Sequence, residues 1–322
     1  MSILLWYSLA YKAKLWCIRM VKDIFLSTEL DIGTLEAHLS KRYSHNSLLS
    51  FKNDWNNFVL FCQLHHVVAL PASTTAIRIF IEKQAKEKKL ASIKRSLVSI
   101  SNIHTAFDFK DPTKTAQVKV ALGKIRLDKK DDNKQTEGIT VQMLDKLEAL
   151  LFHSIELKDI RDLCIWHLMF ELLLKRGELR DLQLDDVCFD ESNNGMIKLQ
   201  QCYYPLSEST NHLLSNWIDA SQIRNGYLFR AIDRHQNVSD KHLNDSSIYR
   251  VFRRANELLN LDIQFSGLSA RVGATKELAK SGYSIHEIQE MGRWVSPAMP
   301  NQYIGNIERS ERQKSRFKTK KA

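Results

Sequence analysis

The segment from Phe265 to Asn306 holds three residues whose types and spacing suggest phosphodiester chemistry. Arg271 lies in a predicted amphipathic helix, Trp294 ends the next short predicted helix, and Tyr303 follows nine positions later, just before a basic tail. Each of these residue types, taken alone, is more often a packing residue or a solvated charge. Taken together they predict an active site whose parts come from three separate elements.

The balance of charge favours a polyanionic partner. The chain has 322 residues, 43% of them hydrophobic, so two ordinary domains can each bury a core. Its 47 Lys and Arg exceed its 37 Asp and Glu, which gives a formal net charge of +10. Clustered positive charge attracts phosphates over long range and releases their counterions on binding. The alternative is an ordinary soluble basic protein.

The cysteines and histidines predict no metal chemistry. The five cysteines are scattered, with no CxxC pair and no tight grouping with histidine, which indicates a reducing compartment and argues against a zinc module. His286 lacks a second histidine one helical turn away. The chain also lacks a glycine-rich phosphate loop and a GxSxG elbow, so nucleotide hydrolysis and serine-hydrolase chemistry lose their usual support. We therefore expect no metal and no other cofactor.

Residues 1–32 are predicted to be an N-terminal extension that need not be structured. Its first part is apolar, but Lys12, Lys14 and Arg19 interrupt it too often for a membrane span. No A-x-A cleavage site follows, so a secretory signal is not predicted. The segment is either a peripheral amphipathic stretch or lies upstream of a true start at Met20. A cytoplasmic protein with no membrane partner is expected.

Residues 33–127 are predicted to form a helical domain. Apolar residues recur there at spacings of three and four, the period of a buried helix face, as in Leu48, Phe51, Trp55, Phe58 and Cys62. Ser73 or Thr74 can cap one of its helices. The string DKKDDNKQTEG that follows has no apolar residue and ends in glycine, which predicts an exposed linker over residues 128–139.

Residues 140–322 are predicted to form a mixed second domain that ends in a basic tail. Met143–Phe152 and Ile160–Leu174 repeat with helical period, and the second run is apolar enough to be central. The strings VCFDE and MIKLQQCYYPL flank Asn193-Asn194-Gly195, and an Asn-Gly pair supplies the positive φ that a tight hairpin needs. The predicted fold class is mainly α with a small antiparallel sheet.

The string GLSARVGATKELAKSGYSIHEIQEMGRW, followed by QYIGN, resembles the tyrosine recombinase (phage integrase) family, and within it the Cre-type site-specific recombinases. The resemblance extends over roughly Leu48 to Asn306 and is most specific in this C-terminal segment. It implies a helical core-binding domain that binds DNA, followed by a mixed catalytic domain. It also implies that DNA is cut and rejoined, in integration or recombination, without a metal or a nucleotide.

The resemblance assigns roles to the three residues of the opening segment. Tyr303 matches the nucleophile, which would attack a DNA phosphodiester and leave a 3′-phosphotyrosyl enzyme with a free 5′-hydroxyl. Arg271 matches the arginine of the HxxR box and would hold a non-bridging oxygen in a bidentate fork. Trp294 matches a position that is His or Trp in the family, where an indole N–H can donate to the phosphate.

A second box, LLLKRGELRDLQLDDV, departs from the family pattern. Aligned on the acidic Glu178, it places Lys175 where an arginine is expected and leaves Arg176 one position away, which on a helix is a rotation of about 100°. Leu268 replaces the histidine of the HxxR box. The lysine expected at the sheet turn is absent, and Lys198 is the nearest, more simply an exposed strand residue.

These departures leave two hypotheses about activity. The first is a working recombinase whose rearranged site uses Lys175, Arg176 or Lys198 beside Tyr303, Arg271, Trp294 and Glu178. The second is a catalytically impaired member that binds DNA as a regulatory or accessory protein. A topoisomerase-like activity shares the chemistry, but the larger clamp segments that it would need have no counterpart here.

Several basic residues are candidates for DNA contact. They are Lys88, Lys89, Lys94 and Arg95 at the join of two N-terminal helices, and Arg250, Arg253 and Arg254 on one helix of the second domain. For the N-terminal group, the alternative is a solvated helix end. The resemblance implies a double-stranded DNA site, expected to contain inverted half-sites, bound by a homotetramer in bacteria, phage or plasmids. The basic tail after Tyr303 either packs on a neighbouring protomer, as in the family, or binds DNA directly.

Overall fold

The structure is a computed structural model that describes residues 23–39, 42–129, 136–191, 194–306 and 310. The chain divides into two units between Lys134 and Gln135. The predicted class, mainly helical with small antiparallel sheets, is confirmed. Among the described residues, no helix is both long enough and apolar enough to cross a membrane.

The first unit is helical. Ser73 caps its third helix by accepting from the Ala76 N–H at 3.1 Å. Trp55, Phe58 and Phe80 are fully buried, and Phe58 packs edge-on against Phe80 with ring centroids 5.1 Å apart. The helices are α1 Ile32–His38, α2 His45–Leu64, α3 Thr74–Gln84, α4 Leu90–Ala106 and α5 Ala116–Asp128.

The core of this unit begins before residue 33, so the predicted N-terminal extension is too long. Phe25 and Leu30 are each 1% exposed. The carbonyl of Phe25 accepts a hydrogen bond from the Trp55 indole N–H at 2.8 Å, which satisfies a buried donor. Residues 1–22 lie outside the described part of the chain.

The second unit packs around a largely buried helix, α7, which spans Leu157–Glu171. As its apolar sequence predicts, α7 is central, with Trp166, Leu168 and Met169 fully buried. The other helices are α6 Val141–Leu151, α8 Arg176–Asp181, α9 Glu208–Ser221, α10 Asp245–Leu258, α11 Ser269–Lys280, α12 Ile285–Met291 and α13 Ala298–Tyr303.

Two small antiparallel sheets accompany these helices. Strands β1 Val187–Phe189, β2 Gly195–Leu199 and β3 Cys202–Pro205 form the predicted sheet, in the order β1-β2-β3 with Ile197 opposite Val187 and Tyr204. A second sheet pairs β4 Arg230–Ile232 with β5 Val238–His242, and no sequence pattern predicted it. Its strands are short and only partly buried, so they carry a weak periodic signal.

The end of the predicted linker belongs to the second unit. Ile139 is fully buried, and its N–H donates to the carbonyl of Ser269 at 3.1 Å. Gly138 and Gly273 allow this approach, because a Cβ on Gly273 would lie 1.7 Å from the Ile139 carbonyl oxygen. The linker of residues 128–139 is therefore shorter than predicted, and residues 130–135 lie outside the described part of the chain.

We expect Gly273→Ala to destabilise the second unit by about 2–3 kcal/mol, because the new methyl group meets backbone that cannot rotate away. Gly123→Ala is the control, since a Cβ there has no neighbour within 4 Å and alanine favours a helix interior by about 1 kcal/mol. Urea unfolding of both variants measures the difference. Equal effects of the two substitutions would contradict the close contact of α11 with Ile139.

Candidate active site

The structure brings together Arg271, Trp294 and Tyr303, the three residues predicted from the opening segment. The guanidinium carbon of Arg271, on α11, lies 4.2 Å from the centroid of the Trp294 ring. The rings of Trp294 and Tyr303 meet edge to face, with centroids 6.0 Å apart. An arginine, an indole and a phenol from three elements therefore adjoin one another.

The turn before Trp294 allows its ring to fold back over Arg271. A Cβ on Gly292 would lie 1.9 Å from an atom of the Trp294 ring, so only glycine leaves the room that the ring occupies. The Trp294 N–H donates to the carbonyl of Gln289 at 3.0 Å, and the Gln289 side-chain amide donates to the Trp294 carbonyl at 3.1 Å. These paired bonds hold the turn after α12 in place.

Arg271 is held by backbone carbonyls. Its guanidinium donates to the carbonyl oxygen of Leu173 and, at 2.8 Å, to that of Gly292. The residue is only 3% exposed. Burial lowers the pKa of Arg271 to about 10, while the charge of Glu178 opposes that shift. Arg271 therefore carries a full positive charge at neutral pH.

Tyr303 ends α13 and is 5% exposed. Burial raises the pKa of its phenol, and the charge of Arg271 opposes this rise. The hydroxyl is therefore protonated at neutral pH and needs a proton acceptor in order to act as a nucleophile. Leu268, at the position that the resemblance gives to histidine, cannot accept a proton, and its side chain is partly exposed before α11.

Lys175 and Glu178 form a charged pair at the start of α8. The backbone N–H of Lys175 donates to Glu178 Oε2 at 2.8 Å, and the Lys175 ammonium donates to Oε1 at 2.9 Å. Burial alone would raise the pKa of Glu178, but hydrogen bonds from Arg293 and from Lys175 lower it to about 2. Glu178 is thus ionised throughout the neutral range.

Arg293 is a member of this cluster that sequence reasoning missed. Its guanidinium donates to Glu178 at 2.9 Å and 3.3 Å, and to the carbonyls of Leu172, Leu173 and Met291 at 3.0, 3.2 and 2.9 Å. The side chain is only 7% exposed. The one signal available in the sequence was a basic residue directly before Trp294, which does not by itself distinguish a site residue from a surface charge.

Arg176 and Lys198, the other two basic candidates for catalysis, lie against Gly267 and on β2 respectively. The stem of Arg176 packs on Gly267, since a Cβ on Gly267 would lie 2.4 Å from Arg176 Cγ. Lys198 occupies a partly buried position on β2, on the face opposite the buried Ile197 and Leu199. Within the described part of the chain, no group of His, Cys, Asp or Glu is placed to hold a metal ion.

The candidate DNA contacts of the first unit differ in how they are held. Lys88, Lys89 and Lys94 are exposed where α3 meets α4. Arg95 is also exposed, but its guanidinium makes a bidentate ion pair with the buried carboxylate of Asp54, at 2.8 and 3.0 Å. Three of the four side chains can thus reach a phosphate without breaking an ion pair.

The three arginines on α10 are not equivalent either. Arg250 is exposed, and Arg253 lies partly buried with its guanidinium carbon 5.9 Å from the centroid of the Tyr249 ring. Arg254 instead pairs with Asp159 and, at 3.1 Å, with the fully buried Asp162. This geometry does not support a DNA contact by Arg254, because its guanidinium would have to leave two carboxylates, and the buried Asp162 would keep Arg161 as its cationic partner.

We expect the contribution of Glu178 to stability to depend on pH. Its pKa is 4.5 ordinarily and about 2 when folded, a lowering that corresponds to about 3 kcal/mol. This stabilisation is present above about pH 5 and is lost as the pH falls toward about 2, where the folded form is protonated. Urea unfolding should show that the difference in free energy of unfolding between wild type and Glu178→Gln becomes smaller from pH 5 to pH 3. A difference that stays constant over this range would contradict the ion pairs of Glu178.

Comparison with known proteins identifies the family. The model of the phage integrase family matches residues 141–309, more than half of the chain. An integrase/recombinase XerD homolog of Selenomonas ruminantium is 30% identical over 290 residues, covering 84% of each chain. The recombinase Cre of Escherichia phage P1 is 23% identical over 288 residues, covering 81% of this chain and 83% of Cre.

Solved structures show the same fold. The integrase of transposon Tn1549, residues 82–397 in complex with circular intermediate DNA, superposes with a TM-score of 0.62 at 15% identity. The match covers 88% of this chain and 97% of that integrase. The family match lies in the second unit, which holds Arg271, Trp294 and Tyr303, and the relative at 30% identity agrees with it. This chain therefore belongs to the phage integrase family, the tyrosine recombinases.

Proposed function

We propose that this protein is a site-specific DNA recombinase that cuts and rejoins DNA through a 3′-phosphotyrosyl intermediate on Tyr303. The observation that carries the proposal is the buried contact of Arg271 with Trp294 beside Tyr303. A packing role alone does not require a buried cation next to a phenol, because burying a charge is costly. Phosphoryl transfer does require it, since negative charge develops on the phosphate.

The reaction exchanges one phosphoester bond for another. The Tyr303 oxygen attacks the phosphorus and loses its proton, while the bond from phosphorus to the 5′-oxygen breaks and that oxygen gains a proton. The reverse attack by a 5′-hydroxyl rejoins the strand. Because the number of phosphoester bonds stays constant, no nucleotide is consumed.

The fixed charges of the site fit this reaction. Arg271 offers a guanidinium that remains cationic, and its two present partners are neutral carbonyls. Charged non-bridging oxygens of a phosphate would bind this cation more strongly than those carbonyls do. The Trp294 indole borders both Arg271 and Tyr303 and can donate its N–H to the same phosphate. Lys175, with 47% of its side chain exposed, adds a further cation.

The partner under this proposal is duplex DNA with a specific site made of inverted half-sites, bound by a tetramer of the chain. The basic tail of residues 311–322, which lies outside the described part of the chain, is a candidate for either DNA contact or contact between protomers. The second candidate function is a DNA-binding accessory protein. Lys175 and Leu268 favour it, because each departs from the family residue that takes part in catalysis.

A nicked duplex that carries the recognition site tests the first function. Wild type should form a covalent protein–DNA adduct, and Tyr303→Phe should abolish it while duplex affinity stays within about threefold, because only the nucleophile is removed. Tyr283→Phe, at a 46% exposed tyrosine in the turn after α11, is the matched control and should retain the adduct. Denaturing electrophoresis reads the result, and salt-sensitive binding without any adduct would favour the accessory function.

Paired substitutions on α10 test the proposed DNA surface. Arg250→Gln should weaken binding to duplexes of different sequence by the same factor. It should also reduce the salt slope, which is the slope of log affinity against log salt concentration, by about one. Its free energy of unfolding should stay within about 0.5 kcal/mol of the wild-type value. Arg254→Gln should leave that slope unchanged and destabilise the second unit by about 1–3 kcal/mol, because Asp162 loses Arg254 but keeps its ion pair with Arg161. Fluorescence anisotropy across a salt series and urea unfolding measure both. A reduced salt slope for Arg254→Gln would place that residue on the DNA.

A further inference from the structure

Arg293 combines an unfavourable backbone with a buried charge. Its φ is +55°, a left-handed conformation that L residues other than glycine adopt at a cost of roughly 1–2 kcal/mol. Glycine would relieve that cost, yet the chain has an arginine there whose side chain is only 7% exposed. Both features cost stability, so the contacts of the guanidinium must offset them.

Those contacts direct the guanidinium at Glu178 and the backbone. Nε and Nη2 both donate to the Glu178 carboxylate, Nη2 also donates to the carbonyls of Leu172 and Leu173, and Nη1 donates to the carbonyl of Met291. Each nitrogen of the group therefore already has a protein acceptor. Unlike Arg271, whose acceptors are neutral carbonyls, Arg293 is paired with an ionised carboxylate, so its effect on a bound phosphate passes through its neighbours.

The neighbour that matters most is Lys175, because it shares the same carboxylate. Its ammonium lies 2.9 Å from Glu178 Oε1, and the Arg293 guanidinium lies 2.9 Å from Oε2. Lys175 remains 47% exposed, whereas Arg293 is buried, so the ion pair of Arg293 is the less screened of the two. Two cations therefore share one carboxylate, which can neutralise only one positive charge. The exposed ammonium of Lys175 is the group that keeps the remaining positive charge.

We propose that Arg293 is a positioning residue for strand transfer: it neutralises Glu178, so that the Lys175 ammonium keeps an uncompensated positive charge for the DNA phosphate. Without Arg293, Lys175 and Glu178 would form a neutral pair. The proposal rests on the proposed function, and it explains how a lysine can serve at a position where the family resemblance expects an arginine. The same side chain anchors the turn whose Gly292 carbonyl binds Arg271.

The principal test is rescue by charge removal. Arg293→Gly, which suits the backbone, should slow adduct formation by about 10²-fold, the effect of losing one charge-stabilising group. The double variant that also carries Glu178→Gln should form the adduct at least about tenfold faster than Arg293→Gly alone, because Lys175 then no longer faces an unbalanced carboxylate. Arg293→Lys, which keeps the charge, should remain within about tenfold of wild type. A double variant no faster than Arg293→Gly would overturn the proposal.

Gln222→Gly is the matched control for the backbone. Gln222 also has a φ of +55°, at the end of α9, and lies outside the cluster of Lys175, Glu178 and Arg293. Its substitution should leave the adduct rate within about twofold of wild type. A loss like that of Arg293→Gly would mean that the backbone change, not the guanidinium, causes the effect, and would overturn the proposal.

Duplex binding separates failure of this proposal from failure of the proposed function. If wild type forms no adduct, the recombinase function fails, but the charge arrangement can still be measured with a mixed-sequence duplex. Lys175→Gln should reduce the salt slope of binding by about one in wild type and by clearly less in the Arg293→Gly background. Equal reductions in both backgrounds would show that Arg293 does not control the charge of Lys175, and would overturn the inference.

Discussion

The carbonyl oxygen of Leu173 accepts hydrogen bonds from two buried guanidinium groups, Arg271 and Arg293, and the arrangement of the site depends on this shared acceptor. Leu173 follows α7, the central helix of the second unit, and has a φ of +46°. Its carbonyl oxygen therefore helps to hold both guanidinium groups in place. α11, which carries Arg271, and the turn after α12, which carries Arg293, meet at this carbonyl.

Two like charges at one carbonyl need a counter-charge, and Glu178 provides it. The carboxylate binds Arg293 and Lys175 directly and favours the charged form of Arg271. Its own pKa of about 2 shows how strongly these cations hold it ionised. A single carboxylate facing several cations leaves a net positive site, which is the electrostatic condition for binding a phosphodiester.

The family fold explains why these groups come from distant parts of the chain. Lys175 and Glu178 lie at the start of α8, Arg271 lies on α11, and Trp294 and Tyr303 lie in the short helical turns that follow. Gly273 and Gly292 allow the close contacts that bring α11 against Ile139 and the indole over Arg271. Rigid elements with small residues at their contacts hold the site within the narrow tolerance that chemistry needs.

The sequence by itself determined the helical class, the small antiparallel sheet and the grouping of Arg271, Trp294 and Tyr303. These follow from periodicity, from the strand-forming strings and from the family string, all of which are local signals. The positive φ that the Asn-Gly pair predicted is not found at Gly195, which is the first residue of β2. Only the tertiary structure decided that Arg293 joins the site, that Arg254 faces Asp162 rather than solvent, and that Phe25 belongs to the first core. The physical reason is that the direction of a charged side chain depends on partners far away in sequence, such as Glu178 for Arg293 across 115 positions.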